Sequence, residues 1–177
     1  MNIKTRKVVI GAVVIALTVV LGWMPVVFLV PTLFACCAFG MGMSVFASTA
    51  FGVVSLIYAV AVPASPVAVA FVGNPWMPIV PRILVGFVAH GFFVVISKII
   101  SEKRKWLAVA LTAIVGSLTN TLSVGACLLI FEPSVVVKGI SVGYLAIMGC
   151  IEAVVNAAVV PPVYFMTKKY ALGVYSK

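Results

Sequence analysis

Four polar side chains interrupt long apolar stretches of this 177-residue sequence: Arg82, Asn120, Glu152 and Asn156. Polar groups are costly in an apolar setting, and those retained there commonly belong to a binding site or a proton path. Glu152 and Asn156 are four residues apart, so a helix would place them on one face. Arg82 directly follows a proline-rich loop, residues 73–81, that also contains Trp76. We expect the ligand chemistry of the protein to lie among these residues.

Each of these side chains also has a structural interpretation. Asn120 and Asn156 could form hydrogen bonds between helices, at about 1 kcal/mol each. Glu152 could be a buried, protonated acid. Arg82 could extend its charge to the outer surface of a membrane, but its place beside prolines and a tryptophan favours a ligand role. We assign His90 to packing.

Other kinds of active site find no support in the sequence. It contains no GxxxxGK[ST] loop, no aspartate and only three glutamates, none of them near another acid. The four cysteines fall in predicted helices without CxxC or His/Cys spacing, so we expect packing rather than metal binding or disulfides. We therefore predict no metal, no cofactor and no enzymatic activity. The cysteines are Cys36, Cys37, Cys127 and Cys150.

The composition is that of a membrane protein. Hydrophobic residues make up 64% of the chain and charged residues 8%, and the mean hydropathy is +1.32. A soluble domain of this size could not enclose so much apolar surface. We predict an all-α protein that forms one integral-membrane domain over residues 1–177.

The positive charge is grouped in three places. The net charge is +9, and ten of the twelve Lys and Arg residues lie near the start, in a central hinge and near the end. Cytoplasmic flanks of membrane helices collect Lys and Arg, so we interpret these groups as topology anchors on anionic lipid rather than as a nucleic-acid surface. Both termini and the hinge should then be cytoplasmic. The groups are Lys4, Arg6 and Lys7; Lys98, Lys103, Arg104 and Lys105; and Lys168, Lys169 and Lys177.

The apolar runs predict a bundle of six transmembrane helices, four before the hinge and two after it. We interpret the first as a retained helix rather than a signal peptide, because it is too long for one. The second and third are divided by a turn near Ser48 and Thr49. This division places Gly40 and Gly42 in the middle of a helix, where small residues allow close packing. The predicted spans are 8–24, 31–47, 51–62, 81–100, 106–131 and 140–166.

Three segments resemble the substrate-binding S components of energy-coupling factor (ECF) vitamin transporters. The first is an AxxxA pair on helix one, Ala12 and Ala16. The second is residues 74–86, in which Pro-Arg is followed by apolar residues and a glycine. The third is residues 116–121, Gly-Ser-Leu-Thr-Asn-Thr, followed by the glutamate of helix six.

The resemblance implies a multi-pass subunit in a bacterial plasma membrane that binds a vitamin from outside. Its implied partners are a transmembrane T component and two ATPase subunits, which would carry out ATP hydrolysis. In this family the small-residue face of helix one, here Ala12 and Ala16, docks on the T component. The alternative for this pair is packing within the bundle.

Pantothenate is the ligand that we expect within this family. Arg82 can hold a carboxylate with two hydrogen bonds, and Asn120 can both donate and accept. Riboflavin and folate carry large flat rings, for which we identify only Trp76, Trp23 and Tyr144 as stacking candidates. The predicted substrate site consists of Arg82, Asn120, Trp76, Asn74, Glu152, Asn156 and Tyr144.

Three alternatives remain open from the sequence. The ligand could be another vitamin: riboflavin, folate, pyridoxine or hydroxymethylpyrimidine, or cobalamin. The chain could be a proton-coupled secondary transporter that acts alone, with Glu152 as the titrating group. It could also be a scaffold subunit of a membrane complex, in which the polar residues only join helices.

Overall fold

The computed structural model describes residues 3–22, 27–63, 65–134 and 142–170. Every element within these ranges is helical, which confirms the all-α prediction for this part of the chain. Helix one was predicted to end at residue 24 and helix six to begin at residue 140, and both positions lie outside the described residues. The same holds for Trp23, Lys138 and Lys177. The helices are α1 (Ile3–Leu21), α2 (Val30–Ala38), α3 (Met41–Ala61), α4 (Pro66–Gly73), α5 (Val80–Ile99), α6 (Lys105–Phe131) and α7 (Val142–Tyr170), with a 3-10 turn at Glu102–Arg104 before α6.

Four of the described helices are long and apolar enough to cross a membrane. They are α3, α5, α6 with the preceding turn, and α7. The α1 helix adds a shorter apolar stretch, Val8–Leu21. These lengths and compositions are those of a membrane-embedded protein. The α2 helix has nine residues, so its length of about 14 Å is half of a typical hydrocarbon core.

Helices α1 and α3 run in the same direction. A Cβ added at Gly11 would lie 3.2 Å from the Phe46 ring, and one added at Gly22 would overlap the Tyr58 ring. The Tyr58 hydroxyl also donates a hydrogen bond to the Val19 carbonyl at 2.6 Å. Because later residues of α1 meet later residues of α3, the chain reverses between them, and α2 lies on this return.

Helix α5 runs antiparallel to α3. The hydroxyl of Ser44, near the start of α3, donates to the Gly86 carbonyl at 2.7 Å. Farther along α3, a Cβ on Gly52 would lie 2.9 Å from the Ile79 Cα. Later residues of α3 therefore meet earlier residues of α5.

Helices α6 and α7 continue the alternation. The Ala89 side chain of α5 lies 3.3 Å from the Cβ position of Gly116 on α6. Nearer the start of α5, Met77 shares a core cluster with Leu128 near the end of α6. The α6–α7 pair is antiparallel by the same test, because Ser117 meets Asn156 while Thr121 meets Gly149.

The helix directions place each helix end and connecting segment at one of the two ends of the bundle. The start of α1, the 3-10 turn and the end of α7 lie together, and we call this the basic end because Lys and Arg positions group there. Segment 74–79, the end of α3 and the start of α5 lie at the opposite end, which we call the loop end. The predicted basic groups within the described helices thus share one end of the molecule.

The short α2 helix lies in the middle of the bundle. Its residues from Val30 to Cys37 are all buried. Leu33 shares a core cluster with Ala89 of α5, Val109 of α6 and Val160 of α7. Three later helices therefore pack around a helix that is too short to cross a membrane by itself.

The predicted boundary between the second and third helices is wrong. Ser48 and Thr49 lie inside α3, and the chain breaks at Gly40, which precedes α3 with extended dihedral angles (φ −61°, ψ 174°). Gly42 lies in the first turn of α3 rather than in mid-helix. Ser48 is a packing residue: a Cβ on Gly86 would lie 2.7 Å from its hydroxyl oxygen, so two small residues let α3 and α5 approach closely.

The loop predicted at 73–81 is shorter than expected. Gly73 is the last residue of α4, a helix that was not predicted, and α5 begins at Val80. The Ser65 hydroxyl caps α4 by accepting a hydrogen bond from the Ala68 amide at 3.1 Å, and Pro66 occupies the first turn. Serine followed by proline is an N-terminal helix signal, so α4 could have been found from this pair.

Candidate functional site

Arg82 lies in the first turn of α5 and is buried, with 6% of its surface exposed. Its guanidinium carbon lies 5.4 Å from the centre of the Phe51 ring and 5.1 Å from that of Phe71. These rings attract the cation through their π faces, but they accept no conventional hydrogen bond. The Nε and Nη1 groups have no hydrogen-bond partner within the described part of the chain. A charged donor in this state is suited to an anion.

A close approach of α3 to the start of α5 fixes the position of Arg82. A Cβ on Gly52 would lie 2.9 Å from both the Ile79 Cα and the Pro78 carbonyl oxygen, and 3.4 Å from the Arg82 Cβ. Real Cβ atoms do not come so close to backbone atoms, so this contact requires glycine. The backbone that carries Arg82 therefore rests directly on α3.

A cavity of about 480 Å³ opens at the loop end, between the end of α1, α3 and α4, and Arg82 is part of its lining. Its walls include the aromatic side chains of Phe28, Tyr58 and Phe71. Ser55 also lines it and is 8% exposed, and its hydroxyl has no partner among the residues described. Its described lining thus combines a buried cation and a buried hydroxyl without a partner with largely apolar walls.

The aromatic surroundings of Arg82 were not predicted. Phe28 packs edge-to-face against Phe51, with ring centres 4.6 Å apart, and against Tyr58 at 6.0 Å. The aromatic contacts predicted for a ligand were Trp76, Trp23 and Tyr144. The small residues on α3 could have indicated its packed face, since close-packed helix faces are rich in such residues. These residues are Ser44, Ser48, Gly52 and Ser55.

Glu152 is partly buried on α7, whereas Arg82 is on α5. The two do not form a salt bridge, because the ion pair found within 4.0 Å in the described chain is Lys105–Glu102. The guanidinium N–H groups of Arg82 are therefore left open to another acceptor.

Asn74 and Trp76 fasten the segment before α5 to the end of α6. The Asn74 side-chain amide donates to a Glu132 carboxylate oxygen at 2.9 Å. The Trp76 ring packs edge-to-face on Phe131, with centres 4.5 Å apart. The described lining of the Arg82 cavity contains neither residue.

The structure places Asn156, one of the two predicted asparagines, in the interface between α6 and α7. Asn156 is fully buried, and its amide donates to the Ser117 hydroxyl at 2.9 Å. This is the hydrogen bond between helices that was considered for Asn156 as a structural role. Asn120 is 8% exposed, and its carbonyl oxygen has no partner in the described ranges. Tyr144, near the start of α7, is half exposed. Arg82 is thus the predicted substrate residue that the structure places in the cavity.

Ala12 and Ala16 lie on the outside of the bundle. Both are exposed on α1. Ala12 lines a shallow apolar groove of about 400 Å³ between α1 and α3, together with Ile15 and Phe46. The pair is separate from the described lining of the Arg82 cavity.

Groups that could bind a metal are dispersed. Within the described residues, no cluster of three His, Cys, Asp or Glu side chains is close enough to hold an ion. The four cysteines are free. His90 joins α5 to α2, since its Nδ1 lies 2.8 Å from the Cys36 carbonyl oxygen.

No protein-family model matches the sequence, and no curated protein is significantly similar to it. A buried arginine at an apolar cavity can bind and orient an anion, and the described residues around it offer no nucleophile paired with a base.

Proposed function

We propose that this protein is the membrane-embedded substrate-binding subunit of an ECF-type vitamin transporter, with pantothenate as its ligand. The observation that carries the proposal is Arg82, a buried guanidinium with two unpartnered donor groups in the lining of a cavity. The resemblance of the sequence to S components supplies the family.

The cavity favours a small organic acid. Its volume of about 480 Å³ falls within the range of small-molecule sites, about 300–1,000 Å³. A guanidinium binds a carboxylate through two parallel hydrogen bonds, and the aromatic walls can cover an apolar body. Pantothenate has one carboxylate for the arginine, and its methylene chain and dimethyl group can lie against the aromatic walls.

The arrangement of the bundle supports uptake from outside. Lys and Arg favour the cytoplasmic side, so the basic end would face the cytoplasm and the cavity at the loop end would face outward. The exposed Ala12 and Ala16 on α1 would then be available to a transmembrane partner, because small side chains let another helix approach closely. ATPase subunits bound to that partner would supply the energy for transport.

Binding and transport by the purified chain test this proposal. The protein alone should bind pantothenate in titration calorimetry, and vesicles should accumulate it only when the T component and both ATPase subunits are present with ATP. Accumulation by the chain alone, driven by a pH gradient, would contradict the proposal. Failure to bind any small molecule would instead indicate a scaffold subunit.

A proton-coupled transporter acting alone is the second candidate. It is favoured by Glu152, a partly buried acidic group on α7 that forms no salt bridge within the described chain. In such a protein Glu152→Gln should abolish uptake driven by a pH gradient. In an S component the same change should leave ATP-driven uptake in place.

A further inference from the structure

Ser55 is a buried polar residue that takes no part in the proposed contact between Arg82 and a carboxylate. It lies on α3 with 8% of its surface exposed, and its hydroxyl oxygen finds no partner in the described part of the protein. Burying a hydroxyl without a hydrogen bond is unfavourable. Because Ser55 also lines the cavity, a bound ligand can supply the missing partner.

Ser55 lies on the face of α3 that contacts Arg82. Phe51 is four residues before Ser55 and Gly52 is three before it, so the three residues share one side of the helix. The Phe51 ring is in cation–π range of the guanidinium, and the Gly52 Cβ position lies 3.4 Å from the Arg82 Cβ. Ser55 and Arg82 therefore line the cavity from adjoining positions.

Other polar side chains of the cavity already have bonds within the protein. The Tyr58 hydroxyl donates to the Val19 carbonyl, and the Ser65 hydroxyl accepts from the Ala68 amide. The described lining contains one cation, Arg82. One positive charge balances a monoanion and leaves a phosphate dianion with excess charge.

We propose that Ser55 and Arg82 bind the same carboxylate, so that the ligand is a monocarboxylic acid that enters acid group first. A carboxylate has about four acceptor positions; the N–H groups of Arg82 can occupy up to two of them, and the Ser55 hydroxyl donates to another. The apolar body of the acid then packs against Phe28, Tyr58 and Phe71. This inference rests on the proposed function in taking the cavity as the substrate site.

The test compares acids with their uncharged counterparts on the purified full-length chain. The probes are pantothenate and panthenol, nicotinate and nicotinamide, and biotin and biotinamide, measured by titration calorimetry. At least one acid should bind, and at least tenfold more tightly than its counterpart. Ser55→Ala should weaken that acid about tenfold, the effect of losing one hydrogen bond to a charged group, and change the uncharged counterpart less than threefold.

Ser48→Ala is the matched control. Ser48 is on the same helix and is fully buried, but the described cavity lining does not include it. Its replacement should leave the affinity for the acid unchanged. Equal weakening by both variants would overturn the role of Ser55, because the effect would then come from α3 packing.

Two outcomes separate this inference from the proposed function. If nicotinate or biotin binds in place of pantothenate and shows the Ser55 dependence, the inference holds and the choice of vitamin is wrong. If pantothenate binds and Ser55→Ala binds it as tightly as the unaltered protein, the inference is wrong and the proposed function stands. Binding of none of the three acids would overturn both.

Discussion

Replacement of Arg82 by methionine should change ligand binding far more than it changes the stability of the ligand-free protein. Methionine fills a similar length without charge. In the free protein the change removes two donor groups that lack partners, each of which costs about 1–3 kcal/mol. It also removes two cation–π contacts, at 5.4 and 5.1 Å, each worth about 0.5–2 kcal/mol. These contributions largely offset each other, so the free energy of unfolding should change by less than about 2 kcal/mol.

In the ligand complex, Arg82→Met also removes the interaction between the guanidinium and the carboxylate, and no gain offsets this loss. A carboxylate placed in the cavity without its arginine should bind about 2–4 kcal/mol more weakly, or roughly 30- to 1,000-fold. Arg82→Lys should recover only part of this, because an ammonium group cannot form the two parallel hydrogen bonds of a guanidinium. Panthenol, the alcohol analogue of pantothenate, should lose a similar amount against the unaltered protein, and the two losses should not add.

Unfolding in detergent and titration calorimetry together distinguish a ligand-binding role of Arg82 from a structural role. Pantothenate should raise the melting temperature of the unaltered protein and have no effect on that of Arg82→Met. A structural arginine would behave differently: the ligand-free variant would lose more than about 3 kcal/mol of stability, as when one partner of a buried ion pair is removed. Equal affinity of the unaltered protein for pantothenate and panthenol would refute the pairing of Arg82 with a carboxylate.

Three further predictions concern the bundle around the site. Replacing Ala12 and Ala16 with leucine should abolish ATP-driven uptake by the whole complex and leave pantothenate binding by the isolated chain unchanged; loss of both would place the pair in the bundle core. Asn156→Ala should lower the free energy of unfolding by about 1 kcal/mol, because it deletes the hydrogen bond between α6 and α7, and a neutral result in unfolding assays would contradict this. Gly52→Ala should destabilise the protein by about 1–3 kcal/mol through contact with the α5 backbone, whereas Gly91→Ala, whose Cβ meets nothing within 4 Å, should have no such cost.

The class of the fold and the position of Arg82 were accessible from the sequence for one physical reason. A chain that is 64% hydrophobic must satisfy its backbone internally in lipid, and helices do so locally. Against that background a single arginine beside prolines is conspicuous.

The division between α2 and α3 could not be located in the same way. Serine and threonine suggest a turn in water, but within a helix such a hydroxyl can donate to a carbonyl of the preceding turn. Thr49 does this, donating to the Val45 carbonyl at 2.8 Å. The break falls instead at Gly40, where no polar residue marks it.

The aromatic walls and Ser55 were hidden for a different reason. Lipid-facing and core-facing side chains are both apolar, so hydrophobic periodicity does not separate them. Phe46 and Phe51 have the same residue type on one helix, yet Phe46 is 48% exposed and Phe51 is 3% exposed. Only the packing of α1, α4 and α5 around α3 distinguishes the two.

The short α2 helix has a consequence for the biogenesis of the protein. A segment of nine residues cannot enter a bilayer as an independently stable span, yet its neighbours in the core include Val109 and Val160, which are synthesised much later. Until α6 and α7 have been inserted, the apolar faces of α2 lack the helices that bury them. Native packing at the centre of this bundle is therefore completed after translation of the last helix, and a chain truncated before α7 should be a substrate for membrane quality control.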